Sequence, residues 1–295
     1  DNGRILRERR ENVRLLPGVP IPESIELTTD AAKSVSGADL WIVAIPTVFL
    51  RESLSRFVSI DSRAAILSLT KGFENETFLR PSEIIAQVLG EERIAVLSGP
   101  SHAQEVSRRL PASVVIASAN EELAFSIQQT LRTDRFRIYT NMDVIGVELG
   151  GALKNIIGIA AGICEGLGLG DNARAALLTR GLAEMTRFGV AMGAEPATFA
   201  GLAGLGDLVT TCTSPHGRNR QVGLRLAHGE RWIDIHKSMA MVAEGVNTAR
   251  SVHERAKRAG LDMPITIEVY RVLYEDKDPS VAVTDLLMRR LKGET

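Results

Sequence analysis

The chain has 295 residues, of which 44% are hydrophobic and 24% charged, with a formal net charge of -1. That length favours two domains with separate cores, and the near-neutral charge excludes nucleic acid or an anionic membrane as a bulk partner, so any anion site must be local. Cys164 and Cys212 have no metal or redox spacing, the charged start DNGRILRERREN is no signal peptide, and no apolar run reads as long enough to span a membrane, so a cytoplasmic protein is expected.

The chain opens with a basic stretch, Arg4, Arg7, Arg9, Arg10 and Arg14. It reads either as a solvated helix face or as a phosphate-facing remnant of a nucleotide site. No Gly-x-Gly-x-x-Gly turn precedes the first convincing strand, residues 39–46. From there apolar strands alternate with amphipathic helices, the pattern of a parallel sheet: helix 48–57, strand 64–70, helix 81–89, strand 93–98, strand 113–118, helix 121–131 and strand 136–140. Ser101 and Gln104 have the spacing of a capping box. After Asn141 only helices are expected: 144–168, 172–192, a glycine-rich turn at 201–207, then 216–228, 246–260, 265–275 and 280–291. The predicted fold class is therefore α/β, a Rossmann-like parallel-sheet domain (1–141) followed by an all-α domain (142–295).

The helix from Val144, VIGVELGGALKNIIGIAAGICEGLGLG, is apolar all round and hence buried. Each glycine in it costs about 1 kcal/mol of helix propensity relative to alanine, a loss that close approach of neighbouring helices or a ligand would offset. Its one lysine, Lys154, must snorkel outward, pair with an acid such as Glu148, or meet a carboxylate or reacting oxygen. Four further stretches place polar groups where burial is expected. Lys71 lies at a strand's C-terminal end, the edge where open α/β sheets bind ligands, and is otherwise a solvated loop lysine. Gly99, Ser101 and His102 lead into a helix N-terminus. Asp207 stands alone in GLGDLVTTC and either caps a helix or pairs with Lys154. Arg218, beside Gly217 and Asn219, has the planar fork suited to phosphate, and Glu244 either accepts from a ribose hydroxyl or favours a helix dipole.

In chain order, Leu16-Pro17-Gly18, Ala44-Ile45-Pro46 with Phe49, Thr70-Lys71-Gly72, Ser98-Gly99-Pro100-Ser101 with Ala103 and Glu105, Ala152-Leu153-Lys154-Asn155, Gly204-Leu205-Gly206-Asp207-Leu208, Gly217-Arg218-Asn219 and Val242-Ala243-Glu244-Gly245 resemble the NAD(P)-dependent sn-glycerol-3-phosphate dehydrogenases of bacteria. The resemblance implies hydride transfer between glycerol 3-phosphate and dihydroxyacetone phosphate, with NAD or NADP as cofactor, in supply of glycerophospholipid backbones. It implies that Lys154 is the acid–base, with Lys71 and Asp207 completing the catalytic set. Lys71, Gly99, Ser101, Lys154, Asp207, Gly217, Arg218 and Asn219 match substrate positions; Pro46, Phe49, Lys71, Ala103, Arg218, Val242 and Glu244 match cofactor positions. A small phosphorylated substrate and a homodimer are expected. Family members carry a further strand and Gly-rich turn, a block of about 40 residues, before the point where this sequence begins, so the sheet domain is expected to be N-terminally incomplete. Two alternatives stand beside this: a cofactor-deficient binding protein for phosphorylated metabolites, and a same-fold reductase for a hydroxyacid or ketopantoate.

Overall fold

A computed structural model describes residues 2–60, 63–239, 243–291 and 293. Helix α1 (Asn2–Arg9) leads through a long loop and α2 (Ala31–Val35) into a five-stranded sheet. Its elements are β1 (Leu40–Val43), α3 (Thr47–Ser55), β2 (Ala65–Ser68), α4 (Pro81–Leu89), β3 (Ile94–Ser98), α5 (Ala103–Val106), β4 (Ala112–Ala117), α6 (Glu121–Leu131) and β5 (Phe136–Asn141). The strands lie in chain order, and β1 to β3 are parallel, Leu40 opposite Ala65 and Ile66 opposite Ile94.

The expected all-parallel sheet is corrected at β4, which runs antiparallel to β3, with Val96 opposite Ala117, while β5 is parallel to β4. A parallel return requires a crossover of a dozen or more residues, usually built on a full helix. Residues 99–111 spend only four on α5 and turn at Arg109, which has φ 57°. The N-terminal arginines also depart from both readings at one position. Half-buried Arg10 donates to the Ile21 carbonyl at 3.1 Å and the Ile25 carbonyl at 2.7 Å, so it staples the following loop rather than facing solvent or phosphate.

Apolar residues on one side of the sheet, Leu67, Ala95, Val114 and Ile116, pack on Ala124 and Ile127 of α6. Val43 and Ile66 meet Leu50 and Leu54 of α3 and Ile84 and Ile85 of α4. Beyond Asn141 the described elements are helical. They are α7 (Val144–Gly166), α8 (Gly170–Ala191), α9 (Pro196–Phe199), a π-helical turn (Leu202–Gly206), α10 (Asp207–Thr213), α11 (Arg218–Ala227), α12 (Trp232–Ser238), α13 (Glu244–Ala259), α14 (Pro264–Tyr274) and α15 (Pro279–Leu287).

Helix α7 is the axis of this second part. Its 23 residues span about 35 Å, so by length and composition it matches a membrane span after all; 89% of its most apolar 18-residue stretch is buried in protein, which makes it a core helix. Leu149, Leu153, Ile156 and Ile157 join Phe188 of α8 and Phe199 of α9 in the largest core. The glycines admit neighbouring backbone: a Cβ on Gly162 would lie 2.0 Å from the Arg220 carbonyl oxygen of α11. The Asp143 carboxylate caps α7 at Gly146 N (2.8 Å) and also accepts from Glu195 N and Thr198 Oγ1, tying α9 to the helix start. Val147 and Ala203 pack on Val96 and Val115 of the sheet, which seats α7 across the strand ends.

Candidate active site

Lys154, 7% exposed, points from α7 toward α10, where its ammonium donates to Asp207 Oδ1 at 2.6 Å and Thr211 Oγ1 at 2.8 Å. The π-helical turn, a local widening that recurs at functional sites, ends at Asp207. Asp207 and Thr211 are four residues apart on one face of α10. The alternatives for both residues close here. Glu148 bonds Arg80 and Ser82 instead of Lys154, and Gly206 rather than Asp207 occupies the cap position of α10.

The second oxygen of the same carboxylate takes Lys71. Lys71 Nζ donates to Asp207 Oδ2 at 2.6 Å and reaches the Gly99 carbonyl at 3.5 Å. Lys71 follows β2, and its loop is tied to the one after β1: Thr70 Oγ1 donates to the Ile45 carbonyl and Thr47 Oγ1 to the Lys71 carbonyl, each at 2.8 Å. Gly151 on α7 admits the lysine stem, since a Cβ there would lie 3.4 Å from Lys71 Cδ and 2.6 Å from Ser98 Oγ.

Charge and burial set the ionisation of this centre. Burial pushes the Lys154 ammonium down to about 8, Asp207 holds it up against that, and the like charge of Lys71 adds to the fall. Burial alone would raise the Asp207 carboxyl, but Lys154 and Lys71 outweigh it and hold the group below the usual carboxylate range. An amine that titrates about one unit above neutrality exchanges protons readily in either direction. Burial and the Lys154 charge push the His102 imidazole below its ordinary value, and its buried Nε2 has no hydrogen-bond partner among the described residues. The expected capping box at Ser101 and Gln104 is absent. Ser101 Oγ donates instead to the Gly99 carbonyl at 3.2 Å, and His102 rather than Ser101 holds the cap position of α5.

Asn219 lies buried at the start of α11. Its Nδ2 donates to Asn155 Oδ1 at 2.9 Å, and its Oδ1 accepts from Gly245 N at 3.0 Å, so α7, α11 and α13 meet at one amide. Gly217 precedes Arg218 at the cap of α11, whose first N–H groups have no intrahelical partner. Glu244 opens α13; burial pushes its carboxyl up, against the charges of Arg218, Lys71 and Lys154. Three cations against two carboxylates leave an excess positive charge for an anion.

Pro46, Lys71 and Glu244 come together in one pocket with Gly72, Phe73 and Asn247. Phe49 and Ala103 are exposed and lie outside that lining, Arg218 is exposed at the start of α11, and Val242 falls outside the described residues. Sequence motifs contain Thr211 and Asn155 but give neither a role. Their signal was spacing: Thr211 lies four residues after Asp207, and Asn155 directly follows Lys154.

An open α/β sheet whose strand ends face a helical unit across a lysine–carboxylate centre belongs to the class of folds that bind nucleotides at that edge, and the centre supplies an acid–base of the kind a dehydrogenase uses. The sequence profile of the N-terminus of NAD-dependent glycerol-3-phosphate dehydrogenase matches residues 2–124, and that of its C-terminus matches residues 143–284. A glycerol-3-phosphate dehydrogenase (NAD(P)+) of Solidesulfovibrio magneticus is 48% identical over 292 residues, which cover 98% of this chain and 88% of that protein. The like-named protein of Chlorobium phaeobacteroides is 48% identical over 295 residues, 99% of this chain and 88% of that one. The crystal structure of glycerol-3-phosphate dehydrogenase from Coxiella burnetii superposes with a TM-score of 0.94 at 41% identity, covering 98% of this chain and 89% of that chain. The chain belongs to the NAD-dependent glycerol-3-phosphate dehydrogenase family.

A nicotinamide dinucleotide is the cofactor of that family. The residues present suit such a group by their chemistry, with a lysine, a carboxylate and apolar side chains bordering one narrow cleft. Gly72, at φ 113°, turns bare backbone toward the pocket, where a Cβ would stand 3.1 Å from Thr47 Oγ1. Pro46, Val48 and Phe73 give it apolar walls beside Lys71.

Proposed function

We propose that this chain interconverts sn-glycerol 3-phosphate and dihydroxyacetone phosphate, with Lys154 carrying the proton. The observation behind this is the Asp207 carboxylate shared by two lysines, one oxygen each, at 2.6 Å. In reduction the Lys154 ammonium gives a proton to the carbonyl oxygen; in oxidation its neutral amine takes the hydroxyl proton. Asp207 and Thr211 aim that nitrogen, and Lys71 stabilises the oxygen as charge develops on it. The substrate phosphate is held by Arg218 and by N–H groups of the α11 start at Gly217 and Asn219, while Gly99 and Ser101 border the substrate. A nicotinamide dinucleotide would supply the hydride donor or acceptor when bound. Pro46, Phe49, Lys71, Ala103, Arg218, Val242 and Glu244 hold it, residues 1–141 serving as the dinucleotide-binding part and 142–295 as the catalytic part. A cytoplasmic homodimer that supplies glycerophospholipid synthesis completes the proposal.

Lys154→Ala tests it. Asp207 keeps Lys71, so the variant should fold, with an unchanged circular-dichroism spectrum and kcat lower by roughly 10³-fold. A near-normal kcat would refute the proton-transfer role.

A further inference from the structure

Helix α7 carries Glu148, Gly151 and Lys154 at intervals of three residues, on successive turns of adjoining faces. Glu148 is 7% exposed and accepts three hydrogen bonds, from Ser82 N at 2.9 Å, Ser82 Oγ at 2.7 Å and Arg80 Nη1 at 2.6 Å. Ser82 lies in the first turn of α4, so the carboxylate of one helix caps the other. Gly151 makes the space used by the stem of Lys71, and Lys154 meets Asp207.

Lys71 and Arg80 bound a single connection between β2 and α4. That connection is braced within itself, where Glu74 N donates to the Leu79 carbonyl at 3.0 Å, and from α3, where Arg51 forks onto Glu74 at 2.7 and 2.8 Å. One end is fastened to the reacting centre through Asp207, and the other to α7 through Glu148.

We propose that Glu148 is a positioning residue for the Lys154–Asp207–Lys71 centre, setting α7 against the β2–α4 connection so that the two lysines reach opposite oxygens of one carboxylate. Adhesion alone does not call for a charge here. Burying an ion pair commonly gains nothing over well-packed apolar side chains of the same volume, and burial pushes the Glu148 carboxyl upward even with Arg80 and Ser82 opposing it. What three directed bonds supply, and apolar contact does not, is a fixed slide and rotation of α7. A misplacement of about 1 Å originating far from the chemistry can lower a rate by about 10²-fold.

The inference rests on the proposed role of Lys154 only where turnover is the readout, so its test has a second readout. The groups acting on Lys154 are Asp207 on α10, Lys71 before α4 and Glu244 on α13, and its charge is felt by His102 before α5 and Cys212 on α10. Glu148→Gln and Arg80→Met are compared with the wild-type chain by steady-state kinetics and by NMR titration of 15N-labelled lysine ammonium groups. With the clamp loosened, Lys71 draws back from Asp207 and its like charge leaves Lys154. The expected results are a kcat about 10-fold lower, a KM for glycerol 3-phosphate within about 2-fold of wild type, and a Lys154 titration moved to higher pH. If both variants lose melting temperature while Lys154 titrates where it does in the wild type, the proposal is overturned and the clamp is only structural. Should Glu148→Gln fail to fold, Arg80→Met decides alone, since it removes the cation from the partly accessible end. A wild-type chain without turnover would refute the functional proposal, and the NMR titration would still decide this one.

Discussion

Asp207 and Glu184 are both nearly sealed from solvent, 3% and 2% exposed, and both accept several hydrogen bonds, yet they ionise in opposite senses. Glu184, on α8, accepts hydrogen bonds from neutral donors, the N–H groups of Ile265 and Thr266 and the Thr266 hydroxyl at the start of α14, and the Arg187 charge adds only a smaller pull in the same direction. Burial outweighs those bonds and pushes its carboxyl up to about 7. Asp207 faces two ammonium groups and stays below the usual range despite equal burial. Helix-start N–H groups suffice to fasten one helix to another; holding a carboxylate charged in that setting takes full opposite charges, and those same charges bring the lysines into reach of a reacting oxygen.

Removing the charge at Asp207 should break the contrast with the largest effect. In Asp207→Asn two ammonium groups face each other without a counter-ion, and the amide nitrogen opposes one of them. A kcat at least about 10²-fold lower is expected, with the limb of the pH–rate profile that reports Lys154 moved to lower pH. An unmoved limb would show that Asp207 does not control Lys154.

Glu184 should announce itself in stability. Its folded pKa, about 7, lies above its ordinary 4.5, so between those values the native state binds more protons than the unfolded chain. The stability contributed by this group is therefore full below pH 4.5 and declines through pH 7, by roughly 3 kcal/mol at 1.4 kcal/mol per unit. Lys154 has the opposite slope in a higher window, since its folded value of about 8 lies below 10.5 and stability is gained as pH rises between them. Urea unfolding at several pH values measures both, and Glu184→Gln should flatten only the lower window.

Arg218→Ala sharpens the role of local charge with a smaller effect, a KM for glycerol 3-phosphate higher by about 10-fold from loss of one charged hydrogen bond. An unchanged KM would move the phosphate away from α11. The smallest effect belongs to Glu184→Gln assayed at pH 7, where kcat should stay within about 2-fold of wild type; a larger loss would mean that α14 communicates with the site.

Much of this architecture is legible in the chain itself, and the failures have physical causes. Helices α4 and α6 fall at the expected residues because each has an unambiguous start, proline at the first position of α4 and Asn120 accepting from Leu123 N before α6. Strand β4 has the apolar run expected of it, but a run of apolar residues carries no direction, and the brevity of α5 reverses the strand. Ser101 and Gln104 have the right types and spacing for a cap; Ser101 spends its hydroxyl on the Gly99 carbonyl because that loop turns toward Lys71.

Composition alone marked α7 as buried, Lys154 as a charge requiring a partner, and the strand ends as the place for a ligand, because periodicity and desolvation are properties of short stretches of chain. Which carboxylate answers Lys154 was settled only by folding. Glu148 stands six residues away on the same helix and Asp207 stands 53 residues on, yet the turns of α7 carry Glu148 to Arg80 while the π-helical turn swings Asp207 between two lysines. Local sequence fixes what a side chain needs, and only the packing of distant elements fixes what it meets.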